Sequence, residues 1–245
     1  MTTENENNKL SKVGAFKVKA IGLAARKQAL ANKAREAGHE IPDIDPLKAE
    51  HRVGILFDDS ASMSGSKIDD AHAGTEEFLR SCNPRNTSVA VYPMNPSLEE
   101  GGHRKIPLSN KMYTTAVAIK SYHAIGGTPM FEMMLEMLQN ENLTRAIVFS
   151  DGAPNYGDEY LMPKAIQQAK EKQIPVDTVF IGHKSDTKAI NIMQSIAEQT
   201  GGIFMIFEPG KANFRTAFKY LSPGYRAMLM DKSFVEKLQE GKVDG

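Results

Sequence analysis

Five oxygen-bearing side chains stand at three separated points of the sequence: Asp58, Ser60 and Ser62 in FDDSASMSGS, Thr128 behind Gly126-Gly127, and Asp151 at the end of RAIVFSD. All are hard donors, and neither histidine nor cysteine stands among them at metal-ligand spacing. Hard oxygens suit Mg²⁺ or Mn²⁺ rather than zinc or copper. Mg²⁺ takes a few protein oxygens and keeps several waters, two carboxylates balance its charge, and an anionic group from a partner could complete the shell.

The flanking residues say what must position these groups. RVGILF (Arg52–Phe57) is a short, nearly continuous apolar run, as expected of a strand buried on both faces of a parallel sheet. It stops at the acids of the first loop. Ser66 and Asp69 form a capping-box-like pair, and Ile68, Ala71, Phe78, Leu79 and Cys82 follow at helical spacing. Further β-rich runs are TSVAVY from Thr87, a short edge strand around Lys105 to Leu108, RAIVFS from Arg145, VDTVFI from Val176 and a last strand from Ile203 to Phe207. Helices are expected between them, over 111–122, 129–139, 160–172 and 187–199, with a closing one around Phe214 and Phe218. Met130, Met133, Met134 and Met137 are expected to fill core rather than bind a metal. Alternating strands and helices predict an α/β fold, a Rossmann-like doubly wound, mainly parallel central sheet flanked by helices. Ligands of such sheets bind at the carboxyl ends of the strands, where the acids and serines lie.

Outside that region the chain changes character. Residues 1–48 comprise a polar N-terminus, a basic amphipathic helix over about 12–36 and a connector with Pro42 and Pro46. Residues 49–222 form the α/β domain, and 223–245 a C-terminal extension whose structure the sequence leaves open. Lysine and arginine together equal aspartate and glutamate, 30 against 30, so net charge gives no argument for nucleic acid or an acidic membrane. The basic N-terminal helix is expected to pack one face on the main domain with its charged face in water; the alternative is an arm that docks a partner or nucleic acid. A single cysteine, Cys82, allows no internal disulfide, no apolar run is long enough to span a bilayer, and MTTENENNKL lacks the apolar core of a signal peptide. A cytoplasmic protein is the expectation.

FDDSASMSGS, the GGT of Gly126 to Thr128 and the IVFSDG of Ile147 to Gly152, in that order, resemble the metal-ion-dependent adhesion site of von Willebrand factor type A domains. The resemblance spans about Arg52 to Phe207. It implies that Asp58, Ser60, Ser62, Thr128 and Asp151 hold Mg²⁺ or Mn²⁺, directly or through water, and that an acidic residue of a partner protein completes the shell. Ala61 replaces the usual glycine between the serines, and Asp59 adds a second acid, expected to face solvent or to raise the local negative potential. Asp58, as a loop carboxylate, is expected to be solvated. With neither a secretion signal nor paired cysteines, the expectation is an intracellular Mg²⁺-dependent protein-binding module of this class, an assembly or adaptor factor, rather than an enzyme. The alternative is the type A subunit of a AAA+ ATPase system of the chelatase or MoxR kind, towards which the SDGAP of Ser150 to Pro154 points. A hydrolase written with Ser60, His123 and Asp151, or a phosphoryl-transfer enzyme using Asp58-Asp59, is disfavoured. The nucleophile elbow and the phosphate-cradling loop are missing, nothing in the sequence places His123 near Ser60, and no lysine is evidently positioned for a phosphoryl group.

Overall fold

Apolar runs that bury both faces pair into a single sheet. The computed structural model describes residues 45–95, 103–152, 154–155, 158–210 and 213–243. The chain divides into two units, Met1–Ile41 and Pro42–Gly245, and the described residues belong to the second. The basic N-terminal helix expected from the sequence lies outside them. In the second unit β1 (His51–Phe57), β2 (Thr87–Pro93), β4 (Arg145–Ser150), β5 (Val176–Ile181) and β6 (Phe204–Phe207) are parallel, and β3 (Ile106–Ser109) pairs with β2 antiparallel. The order across the sheet is β3-β2-β1-β4-β5-β6. From β1 the chain winds towards one edge, and from β4 towards the other. That makes the gap between β1 and β4 the switch point, where a doubly wound sheet opens a crevice at its carboxyl end.

Among the described residues seven α-helices connect and cover the strands: α1 (Ser66–Ser81), α2 (Met112–Ile119), α3 (Met130–Asn140), α4 (Met162–Glu171), α5 (Thr187–Thr200), α6 (Asn213–Leu221) and α7 (Lys232–Gln239). Strand side chains alternate between two cores. Ile55, Phe57, Ile147 and Phe149 pack with Phe78 of α1 and with Phe214 and Phe218 of α6. Leu56, Tyr92 and Val148 pack with Met130, Met134 and Met137 of α3 and with α4 and α5. Those methionines are wholly buried, and each contributes roughly 1.5–3 kcal/mol by leaving water. Two helix starts differ from expectation. Ser66 is the first residue of α1 rather than its cap: Gly65 occupies the cap position at φ 80° and no side chain caps the helix. Pro129 likewise caps α3 instead of entering it.

The residues after Leu221 are part of this domain. A 3-10 turn at Arg226–Met230 and α7 carry Leu229 and Leu238 into the first core. Gln239 Oε1 accepts from the Ile206 N–H of edge strand β6 at 2.8 Å, which blunts an edge that could otherwise pair with another chain. Gln239→Ala is expected to cost about 1–2 kcal/mol in a denaturant titration by leaving that amide without its acceptor. At the amino end of the sheet, far from the site loops, Asp177 accepts from Arg226 Nη2 at 2.9 Å and lies 3.3 Å from Arg145 Nε. Burial lowers the Arg145 pKa to about 10, against the charge of Asp177.

Candidate metal centre

Where β1 ends, the Asp58 carboxylate is fully buried. This corrects the expectation of a solvated loop acid. The backbone amide two residues on, Ser60 N–H, donates to Asp58 Oδ1 at 2.9 Å, and the Ser150 hydroxyl, from the end of β4, donates to Oδ2. Among the described residues no cation pairs with Asp58. Burial therefore pushes its pKa up to about 6; the Ser150 and Ser60 hydrogen bonds oppose the rise, and the nearby charge of Asp151 adds to it.

From Asp58 the donors continue outward as a hydrogen-bonded chain. Ser62 Oγ donates to Asp151 Oδ1 at 2.8 Å, so Ser60 Oγ, 3.0 Å from Ser62 Oγ, is the donor in that pair. Ser62 is exposed, whereas Asp151 is buried. The other Asp151 oxygen is taken by Lys67 Nζ, which also donates to the Ser62 carbonyl at 3.2 Å. Sequence reasoning missed Lys67, although a signal was present. An ammonium in the first turn of a helix opposes the macrodipole, so a lysine there calls for a nearby carboxylate.

The third loop is held against the first by its backbone. Ala61 N–H donates to Gly126 O at 3.1 Å and Ile125 N–H to Asp59 O at 2.7 Å. Gly126 sits at φ 67°, and a Cβ there would lie 2.3 Å from Asn95 Oδ1, so this turn requires glycine. The buried Thr128 donates its N–H to Asn155 Oδ1 at 2.7 Å, and its Oγ1 is 3.4 Å from Asn155 Nδ2. The fold thus joins Asp58, Ser60, Ser62 and Asp151 in one hydrogen-bonded cluster and brings the Thr128 loop beside them, while the Thr128 hydroxyl bonds Asn155 rather than the serines.

Asp59 departs furthest from expectation. Its side chain faces inward, wholly buried, accepting from Asn95 N–H at 2.9 Å and Asn95 Nδ2 at 3.1 Å, with His103 Nδ1 2.6 Å away on Oδ2. His103 Nε2 accepts the His123 N–H at 3.1 Å and lies 2.9 Å from His123 Nδ1. His123 is thereby engaged with His103, and the Ser60 hydroxyl with Ser62, so Ser60, His123 and Asp151 do not assemble as a triad. Asp59 and His103 instead brace the loop that leads to Thr128.

Among the described residues no cluster of three or more His, Cys, Asp or Glu is placed to hold a metal. A cation here would rest on two carboxylates, hydroxyls and water, which is the donor set of Mg²⁺ or Mn²⁺. The residues fit such an ion. Asp58 is a desolvated carboxyl group without a cation; the Ser60 and Thr128 hydroxyls are buried near it, and the exposed Ser62 hydroxyl opens the cluster to solvent.

A doubly wound sheet with hydroxyl and carboxyl donors gathered at the β1–β4 switch point defines a class of α/β ligand-binding domains. Residues 51–206, more than half of the chain, match the von Willebrand factor type A domain family, and the chain belongs to it. A search of curated proteins gives no match. Solved structures share the fold. A von Willebrand factor type A protein from Catenulispora acidiphila superposes with a TM-score of 0.56 at 18% identity, covering 74% of this chain and 43% of that one. The von Willebrand domain of the type V pilus tip protein Mfa5 from Porphyromonas gingivalis has a TM-score of 0.57 at 13% identity, covering 81% of this chain and 98% of that one. The pilus adhesin SpaC from Lactobacillus rhamnosus GG gives 0.55 at 14% identity, covering 77% and 30% respectively. This chain therefore spans less than half the length of the Catenulispora protein.

Proposed function

We propose that this domain is a Mg²⁺- or Mn²⁺-dependent protein-binding module, acting inside the cell, whose ion is held by Asp58, Ser60, Ser62, Thr128 and Asp151 and receives a carboxylate from a partner protein. The observation that carries this reading is the pairing of Asp58 and Asp151, from neighbouring strands, with the Ser60–Ser62 hydroxyl chain between them. Bound there, a dication supplies an electrophilic centre that an acidic side chain can complete. The chain's own residues shape and exclude. Asn155 fixes the Thr128 loop, Ser150 orients Asp58, and the buried Asp59–His103 pair holds the floor on which both loops stand. No bond-making step is assigned to these residues. The intracellular setting draws support from Cys82, a free thiol buried in the core whose pKa burial raises to about 12. A AAA+ ATPase is the partner class suggested by the resemblance of Ser150 to Pro154 to the chelatase subunit.

Calorimetric titration of Mg²⁺ and Mn²⁺ into chelator-stripped protein tests the centre. One saturable site is expected. The double variant Ser60→Ala, Ser62→Ala should weaken it about tenfold, since neutral hydroxyls contribute less than the carboxylates. A glutamate-rich peptide should then bind only when metal is present. Absence of a saturable site, with or without the peptide, would refute the reading.

A further inference from the structure

Lys67 is a residue that neither the sequence pattern nor the family match assigns to the site, yet its ammonium lies among the candidate ligands. It contacts the side chain of one, Asp151, and the backbone carbonyl of another, Ser62. We propose that Lys67 is the site's built-in counter-cation: in metal-free protein it neutralises Asp151, a dication must displace it to bind, and it thereby sets the metal affinity. This inference rests on the metal-binding reading above.

Three features carry it. The Asp151 side chain is only 2% exposed whereas that of Lys67 is 29% exposed, so the carboxylate is fixed while the ammonium stands at the lip and can swing into water. Both Asp151 oxygens are already engaged from within, Oδ1 by the Ser62 hydroxyl and Oδ2 by Lys67. Each oxygen keeps a further lone pair, but an ion that approaches Asp151 meets the Lys67 ammonium already beside it. Of the two donors, only Lys67 carries positive charge, so it alone both substitutes for the dication and repels it. The partners of Asp58 are a backbone amide and a hydroxyl, both neutral. The placement of Lys67 also points to exchange. At the second residue of α1 its charge meets the positive end of the helix dipole, which disfavours an ammonium there unless a carboxylate holds it. Lysine suits a replaceable cation better than arginine does, because it is a point charge on a flexible stem rather than a bidentate fork. The observed metal affinity is then the intrinsic affinity multiplied by the fraction of molecules in which Lys67 has left.

The test compares wild type with Lys67→Met and Lys67→Gln, which remove the charge, and Lys67→Arg, which keeps it. Mn²⁺ binding is measured by calorimetry, and melting temperature in chelator and in excess Mn²⁺. The neutral variants should bind Mn²⁺ about tenfold more tightly, and Lys67→Arg no more tightly than wild type. In chelator the neutral variants should melt below wild type, because Asp151 has lost its counter-ion, and excess Mn²⁺ should raise their melting temperature further than it raises that of wild type. Equal Mn²⁺ affinity in wild type and neutral variants would overturn the role of Lys67 and leave the metal centre standing. Unchanged melting in chelator would likewise show that the ammonium does not neutralise the site. Failure of every protein to bind Mn²⁺ would refute the metal centre, and this inference with it.

Discussion

Asp58→Asn should stabilise the metal-free protein at neutral pH while abolishing its divalent-metal binding. In chelator the wild-type carboxyl group is fully buried, without a cation, and its pKa is raised to about 6 from an ordinary 3.8. A folded-state pKa above the unfolded one means that the native protein holds this proton more tightly. The group's contribution is fully favourable below about pH 4 and is lost as pH rises through about 6. At pH 7 the ionised carboxylate therefore costs about 3 kcal/mol relative to its protonated form. Asparagine is nearly isosteric: its oxygen can still accept from the Ser60 amide, and its amide can donate to the Ser150 hydroxyl. Melting temperature in chelator should rise by roughly 5–10 °C at neutral pH, and this group's part in the fall of stability between pH 4 and 7 should vanish. Mn²⁺ should stabilise wild type and leave the variant unmoved. A variant that melts below wild type in chelator would mean that Asp58 is not held as an uncompensated buried charge.

The opposite balance is expected one residue later. His103→Ala should destabilise the domain by about 3–5 kcal/mol in denaturant, because it strands the Asp59 carboxylate, wholly buried, with neutral Asn95 donors alone. It also removes the acceptor of the His123 N–H and a ring stacked on Tyr122 at 4.9 Å. Adding Asp59→Asn should recover much of the loss, since no buried charge then remains; the shortfall measures packing and the His123 contact. A cost below about 1 kcal/mol for His103→Ala would show that the buried carboxylate does not depend on the imidazole N–H for its satisfaction. Asp58 and Asp59 thus differ by environment, one waiting for a cation and the other already provided with a partner.

That difference was not readable in FDDSASMSGS. Two adjacent acids at a strand end look alike in sequence, and their directions are set by what the rest of the fold places around them. Asp59 turns inward because His103 and Asn95, 44 and 36 residues away, converge beneath it. Lys67 escaped notice for the same reason. Its partner is 84 residues distant, and helical periodicity describes which face a residue occupies, not which loop its long stem will reach. The C-terminal extension resisted reading because its anchoring is by a few contacts, Leu229, Leu238 and the Gln239 cap on β6, rather than by a repeated pattern.

What the sequence determined by itself was the sheet and the location of the site. Continuous apolar runs that end abruptly in acids specify buried parallel strands, and their alternation with amphipathic helices leaves few topologies. Only the tertiary structure decided which donors are shielded, which are already paired and which face water. Those properties arise from packing between segments far apart in the chain, where burial changes the energy of a charge by several kcal/mol, whereas strand and helix patterns are local and survive in the sequence.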